Sequence, residues 1–144
     1  MDEGLACEGK VLKLFNGERA ACWVEIRCQG RAGHGSQLFD STVGEKISTI
    51  LHQINEFRKT QVEKLSKTDI GNITSINVTG LEAGRGSSKD GERQMNVIPS
   101  SGAIFLDIRI GSDVSFDAML ALLQQWCAGS SETTIRASKI RVLL

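Results

Sequence analysis

Apolar residues recur at every second position in two stretches of the chain and at every third or fourth position in two others. Cys22, Val24, Ile26 and Cys28 alternate with Trp23, Glu25, Arg27 and Gln29, and Ile104, Leu106, Ile108 and Ile110 alternate with Phe105, Asp107 and Arg109. A period of two is that of a strand buried on one face. Ile76 and Val78 mark a further strand between them, and Val11 to Phe15 offers a leading hairpin strand. Ile47, Ile50, Leu51, Ile54, Phe57 and Leu65 instead fall on one face of a helix, with Glu45, Lys46, Glu56, Arg58, Lys59 and Glu63 on the remainder. Thr42 and Glu45 have the spacing of a capping box, which starts this long helix; it runs to about Ser66. Phe116, Met119, Leu120, Leu123 and Trp126 predict a shorter helix, capped by Ser115 and ended at Gly129 in the left-handed conformation. Thr133 to Val142 reads as extended, but Ile135 and Ala137 share one face while Ile140 and Val142 take the other, a change of phase that a bulge would explain.

The order strand, long helix, strand, strand, helix, strand predicts an α+β fold of the ferredoxin-like, split βαβ kind. Its four-stranded antiparallel sheet carries both helices on one face, with room for an extra N-terminal hairpin strand. The other face, which includes Trp23 and Phe105, is then left partly open, and its apolar content favours a partner there over water.

Composition narrows the function classes. The 144 residues fit one domain with a real core, and 40% hydrophobic with 24% charged residues is the balance of a soluble globular chain. Lys+Arg and Asp+Glu are equal at 17 each, so there is no basic footprint for nucleic acid or anionic lipid. No apolar run approaches the roughly 20 residues of a membrane helix. The start Met1-Asp2-Glu3-Gly4 lacks the apolar core of a secretion signal, which points to the cytoplasm. Cys7, Cys22, Cys28 and Cys127 form no C-x-x-C pair, so buried, reduced thiols are expected rather than a metal or redox motif.

Two stretches could carry chemistry. Gly30-Arg31-Ala32-Gly33-His34-Gly35-Ser36 lies between a strand and the long helix, where three glycines suit tight turns and would present the imidazole at a loop tip. Met95-Asn96-Val97-Ile98-Pro99 leads into the best strand; Pro99 belongs at a strand start, and Asn96 offers a donor and an acceptor. Taken singly, each reads as an ordinary loop.

In this order and spacing, the G-R-x-G-H-x-S loop and N-V-I-P resemble the dimerisation (lid) domain of the dizinc aminoacylase and carboxypeptidase family. The similarity is greatest to its eukaryotic aminoacylase type, the N-acyl-L-amino-acid amidohydrolases. Asp2-Glu3-Gly4-Leu5-Ala6, Trp23-Val24, Glu45-Lys46, Thr74 to Thr79 and Gln125-Trp126-Cys127 fit that type as well, so the resemblance runs from residue 2 to about residue 128.

The resemblance implies a division and a set of roles. Residues 1–9 would be the end of a catalytic domain missing from this sequence, and 10–144 the lid domain. His34 would donate a hydrogen bond, in the active site of the other subunit of a homodimer, to the oxyanion that develops at the amide carbonyl. Asn96 would help to bind the N-acyl amino acid substrate, and Glu3 would be a zinc ligand in the complete enzyme. Two zinc ions need several His and carboxylate ligands plus a general base. The chain has two histidines, and His52 falls near the polar side of the long helix. No zinc and no hydrolysis are therefore expected of this polypeptide by itself. Residues Arg85 to Arg93 read as an expanded loop where the family has a short turn. A non-catalytic self-association module, and the lid of a related dizinc carboxypeptidase, dipeptidase or deacetylase, are the alternative readings.

Overall fold

The computed structural model describes residues 18–84 and 94–141, the last four as backbone only. Among the described residues six strands and two α-helices follow in order: β1 (Ala20–Gln29), β2 (Gly33–His34), α1 (Val43–Leu65), β3 (Ser75–Ala83), β4 (Val97–Ile98), β5 (Ser101–Ile110), α2 (Phe116–Ala128) and β6 (Thr133–Arg141), with a 3-10 turn at Ile70–Asn72 before β3. The long strands form a sheet in the order β3-β5-β1-β6, every neighbour antiparallel, and β2 pairs with β4 in a separate ribbon. This is the split βαβ arrangement that the periodicities predict. Glu3, Val11 to Phe15 and Arg85 to Arg93 lie outside the described residues.

The core is where the two periods meet. Val24, Ile26 and Cys28 of β1, Ile104, Leu106 and Ile108 of β5, and Ile76 of β3 pack against Ile50 and Ile54 of α1 and Met119 and Leu123 of α2. Each such side chain contributes roughly 1.5–3 kcal/mol by leaving water. The helices meet through Phe57 and Trp126, whose rings stand edge to face with centroids 5.6 Å apart.

Helix α1 begins as its sequence signal predicts. The Thr42 amide donates to Glu45 Oε2 at 2.7 Å and the Glu45 amide to Thr42 Oγ1 at 3.3 Å, so two otherwise orphaned donors are satisfied reciprocally. Two residues of α1 depart from expectation. Leu65, placed by periodicity on the apolar face, is 46% exposed and lies outside the core cluster. Lys46, placed on the polar side, is only 4% exposed. Its ammonium turns inward because two backbone carbonyls are there to accept from it: Gln29 O at 2.6 Å and Ser131 O at 2.8 Å.

The end of α2 also differs. Gly129 has φ −76°, in the right-handed region rather than the left-handed one. The Ser130 amide instead donates to the Cys127 carbonyl at 3.0 Å, closing a tighter last turn. The left-handed step comes at Glu132, with φ 59°. Strand β6 carries the bulge inferred from its phase change: Trp23 faces Ser138 and Cys22 faces Ile140, so the pairing passes over Lys139. On the sheet face away from the helices, Trp23 is 39% exposed. Cys22, Cys28 and Cys127 are buried and unbridged.

Candidate functional site

Both candidate motifs leave the same end of the sheet, where β1 finishes and β5 begins. The register between those strands ends at Gln29 opposite Ser101, and the Gly30 amide donates to the Ser100 carbonyl at 3.0 Å. Beyond that point the two chains separate from the sheet but stay together. Gly33 pairs with Ile98 and His34 with Val97, and the Gly35 amide donates to the Asn96 carbonyl at 2.6 Å. The loop histidine, on β2, and the asparagine, in the turn just before β4, are remote in sequence but thus lie at the same short ribbon. Both are exposed.

The three glycines act by closeness rather than by turning. None has a positive φ; among the described glycines only Gly84 does, at 67°. A Cβ on Gly33 would stand 2.4 Å from the Phe39 ring, and a Cβ on Gly35 would stand 3.1 Å from the Asn96 carbonyl oxygen. Phe39 in turn carries the Arg31 guanidinium over its face, 4.3 Å from the ring centroid. The loop is therefore folded on itself through close contacts at those α-carbons, where a side chain would make Phe39 or Asn96 shift.

Around His34 the polar contacts are local. Its amide donates to Gln37 Oε1 at 3.2 Å, and its carbonyl accepts from the Gln37 amide at 3.0 Å. Its ring Nδ1 lies 2.8 Å from Ser36 Oγ and accepts from the Ser36 amide at 3.3 Å. A backbone amide can only donate, so in the neutral ring Nδ1 is the acceptor and Nε2 bears the proton. The free edge of His34 is thus a hydrogen-bond donor. Ser36 and Gln37 carry no role in the sequence reading, although a polar residue two or three positions after a histidine in a glycine loop is a signal that its ring or backbone is held locally.

Among the described residues the ribbon stands open to solvent. Leu38 is 101%, Met95 99% and Val97 44% exposed, three large apolar side chains beside His34 and Asn96. Two surface hollows lie elsewhere. One runs along the outer side of α1 past His52, Arg58 and Glu63, the other lies beside Cys127, Ser130 and Thr133. His52 is exposed, as its place in the helix predicts. Among the described residues no three His, Cys, Asp or Glu side chains cluster closely enough to hold a metal ion. The donors at hand do not fit a zinc centre: His34 already engages Nδ1 with Ser36, and its neighbours in the ribbon are amides and hydroxyls. The ribbon can donate hydrogen bonds and present apolar surface.

Comparison with known proteins gives the family and the fold. A family model described as the peptidase dimerisation domain matches residues 16–133. The chain is similar to Aminoacylase-1 of Dictyostelium discoideum, at 36% identity over 89% of this chain and 33% of that protein. It is also similar to Aminoacylase-1 of Homo sapiens, at 33% identity over 92% of this chain and 31% of that protein. The chain therefore spans about a third of the length of the curated relatives it matches. In solved structures the fold recurs in a hydantoinase/carbamoylase family amidase from Burkholderia ambifaria, with a TM-score of 0.63 at 14% identity over 88% of this chain and 29% of that one. An amidase of the same description from Burkholderia multivorans gives a TM-score of 0.60 at 17% identity, over 85% of this chain and 28% of that one.

Proposed function

The chain belongs to the peptidase dimerisation-domain family, and from that premise we propose that it is the lid of a zinc-dependent N-acyl-L-amino-acid amidohydrolase. In the complete homodimer His34 supplies an oxyanion donor and Asn96 a substrate contact. The observation that supports this most is the β2–β4 ribbon, which pairs His34 with Val97 and bonds the Gly35 amide to the Asn96 carbonyl, so that the two exposed motifs meet in one place.

The chemistry follows from that edge. When an amide carbonyl is attacked, charge gathers on its oxygen, and a donor aimed in advance at that oxygen lowers the barrier. The Nε2–H of His34 is such a donor. Asn96, with both an amide donor and a carbonyl acceptor, suits the carboxylate or amide end of an N-acyl amino acid. Leu38, Met95 and Val97 lose their contact with water only when the ribbon enters another surface. That surface is the catalytic part of the partner subunit, where Glu3 would join the metal ligands and two zinc ions would supply Lewis-acid chemistry. The polypeptide by itself is then a self-associating module without hydrolytic activity.

The test is His34→Ala in the complete parent enzyme. Turnover of N-acyl amino acids is expected to fall about 10²–10³-fold, with the dimer intact by sedimentation. Unchanged turnover would exclude the oxyanion role and leave the self-association reading.

A further inference from the structure

Resting on the oxyanion reading for its functional meaning, we propose that Ser36 is the positioning residue that holds the His34 ring with Nε2–H pointing outward. Two donors of Ser36 converge on one ring nitrogen: the hydroxyl, 2.8 Å from Nδ1, and the backbone amide, 3.3 Å from it. Turning the ring over would put a carbon where Nδ1 stands and lose both contacts. Moving the proton to Nδ1 would set it against the Ser36 amide hydrogen. Either change is disfavoured, so the ring is restricted both in orientation and in tautomer.

The clamp has a fixed base. Ser36 reaches His34 across Gly35, whose amide is held by the Asn96 carbonyl at 2.6 Å. The Gln37 side chain accepts from the His34 amide at 3.2 Å. The segment from His34 to Gln37 is thus bonded on both sides of the clamp, and a short polar side chain is enough to aim the ring. A histidine at an exposed loop tip would otherwise sample its rotamers freely. An oxyanion donor gains most from being aimed before the reaction.

The experiment is a long-range proton–nitrogen correlation spectrum of the His34 ring in the 144-residue chain, for wild type, Ser36→Ala and Ser36→Thr. Wild type should show a pyridine-like Nδ1, a pyrrole-like Nε2 and side-chain couplings of a single rotamer. In Ser36→Ala the backbone amide survives, so the change reads the hydroxyl alone. Flipped or alternative-tautomer rings should then rise about two- to tenfold in population. Ser36→Thr keeps a hydroxyl and should restore the wild-type spectrum. Backbone amide shifts outside residues 30–42 serve as the control for fold. A pyrrole-like Nδ1 in wild type, or a Ser36→Ala ring identical to wild type, overturns the proposal. No substrate is involved, so the two readings fail separately. A locked ring together with full activity of His34→Ala in the parent would remove the oxyanion role and leave the clamp.

Discussion

The Gly35 amide donates to the Asn96 carbonyl across 2.6 Å, joining two segments that the chain separates by α1 and β3. Gly35 is flanked by His34 and Ser36, so this bond also fixes the distance over which Ser36 reaches back to the imidazole. Its geometry leaves little room for a side chain, because an added Cβ would lie 3.1 Å from the Asn96 oxygen and 3.2 Å from the Asn96 carbonyl carbon.

Gly35→Ala should therefore push β2 away from β4 while sparing the core. The ribbon is exposed and separate from the four-stranded sheet, so the expected loss of global stability is below about 1 kcal/mol. Local opening should change far more. Hydrogen exchange at the residue 35 amide is expected to quicken about tenfold or more, with β1 and β5 unaffected. Unaltered protection at that amide would mean that the Asn96 carbonyl yields without losing the bond.

Lys46 carries a larger share of stability. Its ammonium is buried at 4% exposure and donates to Gln29 O at 2.6 Å and Ser131 O at 2.8 Å. It thereby joins the end of β1, just before the histidine loop, to the turn between α2 and β6. Lys46→Met keeps the apolar stem and leaves both carbonyls without their donor. The expected cost is about 2–4 kcal/mol, read as a lowered urea midpoint at unchanged slope. Glu132, 3.9 Å away and 67% exposed, is a weak partner; Glu132→Gln should change stability by less than about 0.5 kcal/mol. A cost below about 1 kcal/mol for Lys46→Met would show that water replaces the ammonium at both carbonyls.

The same lysine marks where sequence reading stops. The alternation in β1 and β5 and the three-and-four spacing of Ile47, Ile50 and Ile54 are properties of residues near one another in the chain. Pattern alone reveals them, and the order of elements then limits the sheet topology. Lys46 sits in a helix at a position that any polarity count assigns to water, and only the carbonyls of Gln29 and Ser131 draw it inside. The bridge between Gly33–His34 and Val97–Ile98 is similar: two residues a side are too few for a period. The motifs that hold His34 and Asn96 are recognisable in the sequence. The meeting of the two segments is not, since a bridge that short depends on where β1 and β5 deliver the two chains.

The start of α1 offers a test of local against global effects. Thr42 Oγ1 accepts from the Glu45 amide at 3.3 Å and donates to Glu45 Oε2 at 2.9 Å. Thr42→Ala is expected to cost about 1 kcal/mol, measured by thermal or urea unfolding. The backbone amide and then the hydroxyl of Thr42 hold the Glu45 carboxyl below its ordinary value of 4.5. A depressed carboxyl contributes stability that is present above the unfolded value and is lost as pH falls through the folded one. The difference between wild type and Thr42→Ala should therefore be full at pH 6 and shrink below pH 4.5. A difference constant with pH would show that the Thr42 hydroxyl does not help to hold the Glu45 carboxyl down.

Alkaline pH should act through the buried thiols. Burial first, and the neighbouring Cys28 second, push the Cys127 thiol up from 9.0 to about 11. Burial raises Cys22 and Cys28 in the same direction. For a group whose folded value lies above its unfolded one, the stability it contributes is complete below the unfolded value and is lost as pH rises through the folded one. The fall should therefore start near pH 9 and continue through about pH 11 for Cys127. Its size for this thiol is on the order of 2–3 kcal/mol. Cys127→Ala should remove part of that slope at the cost of a small cavity, with the rest belonging to Cys22 and Cys28. Disulfide-exchange reagents at pH 8 should label these three thiols slowly in the native chain and at once in urea. Fast labelling of Cys127 in the native chain would mean that the end of α2 opens readily, and the alkaline slope would then belong to other groups.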